Sequence, residues 1–358
     1  MYFDNFLDSV FATVSQKHSF HESITKELLP IKSVLSQNGT EKIVVSVNKR
    51  VFSGIIAGVD SGFVSKRLSF IDIVLIRVAG AIFNYENNIL GKAEYYPNAF
   101  SLPEPILLKA ALEKDEEQQS VSLERLKKEV CNSIEIIEKF KPKYLFIDGS
   151  IVPQYQDKPR SDSVINNDYN SVVVLFQKMY SLAEKNSCTL ISCVEDSRGT
   201  RFIQLLREKI LSKGENQKSE KLKGSIDAAF LDYFLLPKER TFCFPYTSST
   251  ITHPILKDYE KRWAENIFVF YLKVSEFDKP LRVEFISGAG NLHEKADEIA
   301  SIVFSLSSLH KEYSYPSVLI EADLRARLNE DDISIVYDKL IDKLGPKMRL
   351  RRNSRPFK

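Results

Sequence analysis

The chain has 358 residues, of which 43% are hydrophobic and 27% are charged, and its formal net charge is +2. This composition is typical of a globular protein with a sizeable core and excludes a disordered chain. At roughly 150 residues per domain, the length suggests about two domains. The near-neutral net charge excludes a polycation, so any binding of nucleic acid must use local basic surface. The four cysteines form no paired zinc motif and indicate reduced thiols.

The apolar pattern predicts a succession of helices and strands. Strands are predicted at 43–47, 54–59, 70–83, 93–96, 144–148, 189–194, 241–246, 267–274 and 281–286. Helices are predicted at 2–36, 121–140, 170–184, 200–212, 291–309, 316–328 and 331–344. This order is typical of an α/β fold, a mixed sheet flanked by helices with helical additions at both ends. The charged stretch 213–223 predicts a solvated loop.

Three segments follow from this pattern: an N-terminal helical segment over 1–42, an α/β domain over 43–345 and a flexible basic tail over 346–358. No run of 18 apolar residues occurs, and the N-terminus lacks the basic start of a secretory signal. We therefore expect a cytoplasmic protein without a membrane span.

Two strands are predicted to end in an acid followed by small residues. Asp60 precedes Ser61 and Gly62, and Asp148 precedes Gly149 and Ser150. If the two strands are neighbours, the two carboxylates converge, and two close carboxylates favour a divalent metal as their shared partner. The alternative is that each is an ordinary strand-ending turn, where Asp-Gly and Asp-Ser are common.

Three further residues are candidates for the same site. Glu129 flanks the apolar stripe of its helix, where a carboxylate is costly unless it is paired or binds metal, although it can also reach outward to solvent. Asp323 follows Leu319 and Ile320 at helical spacing, and Tyr315 precedes that helix. The alternative for this segment is a capped surface helix. None of the five histidines has a metal-ligand spacing, and we assign them no role.

Four segments together resemble the motifs of the NurA nuclease family, in order and spacing, across about residues 50–330. They are the run 58–77, Glu129, the run 146–150 and the run from Tyr315 to Asp323. The resemblance implies an RNase H-like core and a manganese-dependent DNA nuclease. It also implies a 5′ to 3′ exonuclease on single- and double-stranded DNA, with endonuclease activity on single strands.

The resemblance further implies a homodimer that works with the hexameric HerA translocase, an ATPase, in archaeal DNA-end resection for homologous recombination. Asp60, Glu129 and Asp148 match the metal-binding acids of the family, and Tyr315 matches its active-site tyrosine. Asp323 departs from the family, because a histidine is expected there, but a carboxylate also suits manganese. One or two Mn²⁺ ions are expected, with Mg²⁺ as the alternative.

Basic residues near these motifs are candidates for contacts with the DNA backbone, although each is also an ordinary surface charge. They are Lys66, Arg67, Arg198 and Arg201. Two departures from the family, at Asp323 and at the strand end 194–198, where an acid stands in place of a lysine, leave a second reading open. In it, the chain is a weakly catalytic or non-catalytic adaptor that joins a HerA-type translocase to DNA.

Overall fold

The computed structural model describes residues 2–36, 41–68, 72–108, 112–209, 216–288 and 290–345. Its helices are α1 (Tyr2–Leu28), α2 (Lys114–Phe140), α3 (Asn166–Lys185), α4 (Arg201–Lys209), α5 (Asn216–Lys221), α6 (Asp227–Phe234), α7 (Lys261–Ala264), α8 (Leu292–Ser307), α9 (Ser317–Ala326) and α10 (Glu330–Leu344). Its strands are β1 (Val44–Ser46), β2 (Gly54–Arg67), β3 (Asp72–Glu86), β4 (Ile89–Tyr96), β5 (Glu104–Leu107), β6 (Tyr144–Asp148), β7 (Thr189–Val194), β8 (Glu239–Thr241), β9 (Phe244–Pro245), β10 (Ile267–Lys273) and β11 (Leu281–Ile286).

The chain divides into two compact units. The first comprises Met1–Arg50, Cys193–Ser248 and Asn266–Pro316, and the second comprises Val51–Ser192, Ser249–Glu265 and Ser317–Lys358. Each unit is therefore assembled from segments that are far apart in the sequence.

The second unit contains the strand order β7-β6-β2-β3-β4, and β5 also pairs with β3. Strands β2, β3 and β4 form an antiparallel meander, whereas β6 runs parallel to β2. Helices α2 and α9 both pack against β2 and β3. The predicted α/β fold class, a mixed sheet flanked by helices, is confirmed.

The first unit contains the strand order β1-β8-β10-β11, with β9 paired to β10. Ile24 and Leu28, near the end of α1, are buried in an apolar cluster with side chains of α4, α6 and β10. The earlier turns of α1 instead expose large apolar side chains, namely Phe6, Leu7, Val10, Phe11, Val14 and Phe20. We call this row the α1 apolar face.

The structure corrects the sequence prediction for strand β2 and for the charged stretch 213–223. Strand β2 does not end at Asp60, because the residues after it continue to pair with β3 as far as Arg67. The hydrogen bonds of this ladder outweigh the turn preference of Asp60-Ser61-Gly62. The predicted loop over 213–223 contains helix α5, whereas the predicted tail over 346–358 lies outside the described residues.

In the part of the chain that the structure describes, no helix is both long enough and apolar enough to cross a membrane. All four cysteines belong to this part and are reduced thiols, and three of them are buried.

Candidate metal centre

Asp60 and Asp148 lie side by side in the second unit. The parallel ladder between β2 and β6 ends with the pair Val59 and Ile147, and the two aspartates are the next residues of their strands. Strand β6 ends at Asp148, whereas β2 continues to Arg67. The two carboxylates therefore lie at the point where β6 ends. The sequence predicted that the two carboxylates converge if their strands are neighbours. The parallel pairing of β2 with β6 shows that they are neighbours.

Glu129 is held beside the two aspartates by its neighbours. It is buried on α2, and its Oε2 accepts a hydrogen bond of 2.7 Å from the hydroxyl of Ser61. Nη1 of Arg125, one helical turn earlier, lies 3.2 Å from the same oxygen and 3.3 Å from the Ser61 hydroxyl. The side chain of Glu129 therefore has a fixed direction, and it does not reach outward to solvent.

Helix α9 covers the face of β2 that carries Asp60. Gly58, Asp60 and Gly62 share one face of the strand because side chains alternate along it. A Cβ on Gly58 would lie 2.9 Å from the carbonyl oxygen of Val318, and one on Gly62 would overlap the carbonyl oxygen of Ala326. The two glycines thus allow α9 to approach the strand on both sides of Asp60.

The position of Asp323 differs from the prediction. Helix α9 buries Val318, Leu319, Ala322 and Ala326 against the unit, whereas Asp323 is exposed. Its repulsion nevertheless contributes to raising the pKa of Asp60. Asp323 is therefore at the rim of the acidic cluster, because the close approach of α9 turns its small and apolar residues, and not Asp323, toward the sheet.

Two acids of this cluster, Asp60 and Glu129, have raised pKa values. Burial, and then repulsion by Asp148 and Glu129, raises the pKa of Asp60 to about 8, although the Ser61 N–H, 2.6 Å from Oδ1, opposes the rise. Burial raises the pKa of Glu129 to about 7 against the attraction of Arg125 and the hydrogen bond of Ser61. Keeping these carboxylates charged together is costly without a cation.

The donor set fits a hard divalent cation. All four candidate ligands are carboxylates, which suit manganese and magnesium, and a cation would relieve their mutual repulsion. However, among the residues that the structure describes, no three His, Cys, Asp or Glu side chains are already gathered to hold a metal ion. Oε2 of Glu129 instead faces Ser61 and Arg125.

Tyr315 belongs to the first unit, and its hydroxyl is already engaged. The side chain is buried, the hydroxyl donates a hydrogen bond of 3.0 Å to the carbonyl oxygen of Cys193, and the ring stacks on Tyr313. The run from Tyr315 to Asp323, which carries part of the family resemblance, therefore crosses from one unit to the other. Tyr315 belongs to the first unit, and α9 belongs to the second.

The predicted DNA-binding residues have different surroundings. Nζ of Lys66 lies 4.2 Å from the ring centre of Tyr337 and 3.4 Å from the Ser334 hydroxyl, so it ties β2 to α10. The side chain of Arg67 lies outside the described residues. In the first unit, Arg198 is exposed, whereas Nε of Arg201 is buried and has no hydrogen-bond partner among the described groups.

Ser61 and Arg125 were not among the site residues predicted from the sequence. Arg125 precedes Glu129 by four residues on a helix, a spacing that places the two side chains together and could have revealed the pair. The contact of Ser61 with Glu129 had no local signal, because the two residues are 68 positions apart.

Comparison with known proteins identifies the family of the chain. The family model described as NurA domain matches residues 54–328, which is most of the chain and includes all four acids. The chain belongs to the NurA family. This confirms the resemblance seen in the sequence motifs.

Solved NurA structures share the fold of this NurA family protein. The NurA nuclease from Sulfolobus solfataricus is 13% identical, with a TM-score of 0.57 over 97% of this chain and 98% of that one. A NurA bound to dAMP and manganese is 12% identical, with a TM-score of 0.50 over 95% of this chain and 98% of that one. No curated protein matches the chain.

Proposed function

We propose that this NurA family protein is a metal-dependent nuclease that hydrolyses DNA phosphodiester bonds at the cluster of Asp60, Asp148 and Glu129. The observation that carries the proposal is the side-by-side placement of Asp60 and Asp148 where β6 ends, with Glu129 buried next to them. Membership of a family that includes a solved nuclease supports the reaction class.

Manganese is the cofactor that we propose, with one or two ions per site and magnesium as the alternative. The solved relative that holds dAMP and manganese together supports this choice. When bound, such a metal lowers the pKa of a water molecule and stabilises the negative charge of the leaving oxygen.

The chain's own residues would hold and orient this site. Asp60 and Asp148 supply the central carboxylates, and Asp323 completes the shell from the rim. Ser61 and Arg125 direct the carboxylate of Glu129 and reduce the cost of keeping it charged. Because Oε2 of Glu129 already accepts two contacts, Oε1 is the atom that is available for a metal.

Residues outside the acidic cluster receive separate proposed roles. Lys66, Arg67, Arg198 and Arg201 are proposed to contact DNA phosphates, with Lys66 restrained by Tyr337. For Tyr315 we propose that it positions the backbone at Cys193, because its hydroxyl donates a hydrogen bond to the carbonyl oxygen of that residue.

We further propose that the protein acts as a homodimer with a HerA-type hexameric ATPase, in the cytoplasm, during resection of DNA ends. A 5′ to 3′ exonuclease and a single-strand endonuclease are the proposed activities. The α1 apolar face supports an assembly, since Phe6 and Phe11 are 59% and 73% exposed on the same helix.

The proposed nuclease is tested by digestion of labelled single-stranded DNA with purified protein and manganese. Wild type should cleave, whereas Asp60→Ala and Asp148→Ala should each lose at least about a hundredfold in rate, since each removes a central metal ligand. EDTA should abolish cleavage by wild type. DNA binding without any metal-dependent cleavage would instead favour the non-catalytic adaptor.

A further inference from the structure

The first unit contains a cavity of about 620 Å³ that the acidic cluster does not use. It lies between α1, α6, the segment after β7 and Lys279. Its walls combine basic side chains, imidazole and phenol rings, and apolar side chains such as Val14 and Ile226. A ligand that is apolar and flat at one end and anionic at the other would match this lining.

Two basic side chains in the cavity wall are available to bind an anion. Within the described part of the chain, Lys17 and Arg198 form no hydrogen bond or ion pair, and both are exposed. The acids of the wall are neutralised, because Asp196 pairs with Lys279 at 2.6 Å and Asp232 pairs with Lys273. The cavity therefore has a positive balance, which attracts an anion.

The aromatic part of the wall is formed by three rings. Tyr233 lies nearly parallel to His21, with 5.7 Å between ring centres, and its hydroxyl is 2.5 Å from Nδ1 of His18. Burial and the charge of Lys17 lower the pKa of His21 and so favour the neutral form of its ring. Flat aromatic rings stack on nucleobases of any sequence.

The segment that presents Arg198 is held by a buried network. The carbonyl oxygen of Gly199 accepts a hydrogen bond of 2.8 Å from the N–H of Asp227, whose carboxylate caps the start of α4. A Cβ on Gly199 would lie 2.8 Å from both the Tyr271 hydroxyl and Nη1 of Arg282. This close packing fixes the backbone next to Arg198. Only the side chain of Arg198 then has to change conformation for its guanidinium to bind a phosphate.

We propose that this cavity binds one nucleotide unit, with the phosphate between Lys17 and Arg198 and the base against His21 and Tyr233. The unit is either a free nucleotide or part of a single DNA strand, since both present the same phosphate and base. The site is additional to the acidic cluster and needs no metal. The inference goes beyond the proposed catalysis and is tested without cleavage.

The test is calorimetric titration of the full chain in EDTA with dAMP, deoxyadenosine, inorganic phosphate and a short oligothymidylate. EDTA keeps metal from the acidic cluster, so binding there does not contribute. We expect dAMP or the oligonucleotide to bind, and deoxyadenosine to bind about tenfold more weakly than dAMP, because a charged hydrogen-bonded phosphate contributes on that order.

Variants assign the binding to this cavity. Lys17→Ala and Arg198→Ala should each weaken binding about tenfold, whereas His21→Ala should weaken binding of dAMP but not of inorganic phosphate. Lys26→Ala is the matched control, because Lys26 is an exposed lysine of the same helix, pairs with Glu22 and does not line the cavity. Its affinity should equal that of wild type.

The titrations identify the ligand of the cavity or show that the cavity does not bind one. Tight binding of dAMP alone identifies a free nucleotide as the ligand, and binding of the oligonucleotide alone identifies a DNA strand. Absence of binding by both, or equal affinities in wild type, Lys17→Ala and Arg198→Ala, overturns the site. These negative results would count against the proposed phosphate contact of Arg198 but not against catalysis at the acidic cluster, which is measured by manganese-dependent cleavage.

Discussion

The hydroxyl of Ser61 donates a hydrogen bond of 2.7 Å to Oε2 of Glu129 and so joins strand β2 to helix α2 at the acidic cluster. Ser61 is the residue after Asp60, and its N–H also contacts the carboxylate of Asp60. One small residue thus contacts two of the proposed metal ligands. Groups that orient metal ligands in this way commonly affect metal affinity.

Ser61→Ala should raise the manganese concentration for half-maximal cleavage about tenfold, because Glu129 loses the hydrogen bond that orients it. A manganese titration of the cleavage rate measures the change. Ser65→Ala is the matched control, since Ser65 is an exposed serine of the same strand and should titrate like wild type. Equal titration of both variants would exclude a positioning role for Ser61.

The stability of the metal-free protein should depend on pH through Asp60. The folded state binds the proton of Asp60 more tightly than the unfolded state does. The free energy of unfolding therefore falls as the pH rises from 3.8, the ordinary pKa of the aspartate, to about 8, its pKa in the folded state. Asp60→Asn removes the contribution of Asp60, while that of Glu129 remains, and should raise the free energy of unfolding at pH about 8 by on the order of 1 kcal/mol or more.

Thermal unfolding in EDTA at several pH values measures this effect. Asp162→Asn is the control, since this acid is 80% exposed and should leave the pH profile unchanged. Manganese should stabilise wild type more at pH about 8 than at pH about 5, because protons compete for the ligands. A profile of Asp60→Asn that parallels wild type would contradict the buried, repelled state of Asp60.

Gly62→Ala should destabilise the second unit by about 1–3 kcal/mol, because the new methyl group would meet the backbone of α9 at Ala326. Urea unfolding measures the loss. Gly91→Ala is the matched control on β4, where the nearest atom to an added Cβ is 3.6 Å away. Comparable stability of the two variants would mean that α9 does not pack as closely on β2 as the structure shows.

Asp323→Asn should raise the manganese requirement only a few-fold, less than substitution of Asp60 or Asp148, because Asp323 is an exposed rim residue. Asp323→His should keep part of the activity, since imidazole also ligates manganese. Asp338→Asn on α10, an exposed acid outside the cluster, is the control for the metal titration. If all three titrate like wild type, Asp323 is only a surface charge.

Phe11→Glu should weaken assembly, because it places a charge on the α1 apolar face. Light scattering of the purified protein, alone and with a HerA-type ATPase, measures the mass. Phe277→Glu is the matched control, since Phe277 is another exposed phenylalanine of the first unit, 61% exposed against 73% for Phe11. An unchanged mass for Phe11→Glu in both mixtures would show that α1 makes no such contact.

The sequence by itself determined the fold class and the strand-plus-acid pattern at Asp60 and Asp148, because both depend on local patterns, whereas the pairing of β2 with β6 came from the structure. Alternating apolar runs define the strands, and the carboxyl ends of neighbouring parallel strands meet at one edge. The helical phase of Glu129 placed it beside the apolar stripe but left open whether it faces the core or reaches outward to solvent, and the structure shows that it is buried.

Only the tertiary structure decided the length of β2, the exposure of Asp323 and the engagement of Tyr315. Strand β2 continues beyond Asp60 because β3 supplies hydrogen bonds that no local preference reveals. The glycines of β2 set which side of α9 faces the sheet, and the partner of Tyr315 lies 122 positions away in the sequence. Such contacts depend on which elements pack together, so a local sequence pattern does not encode them.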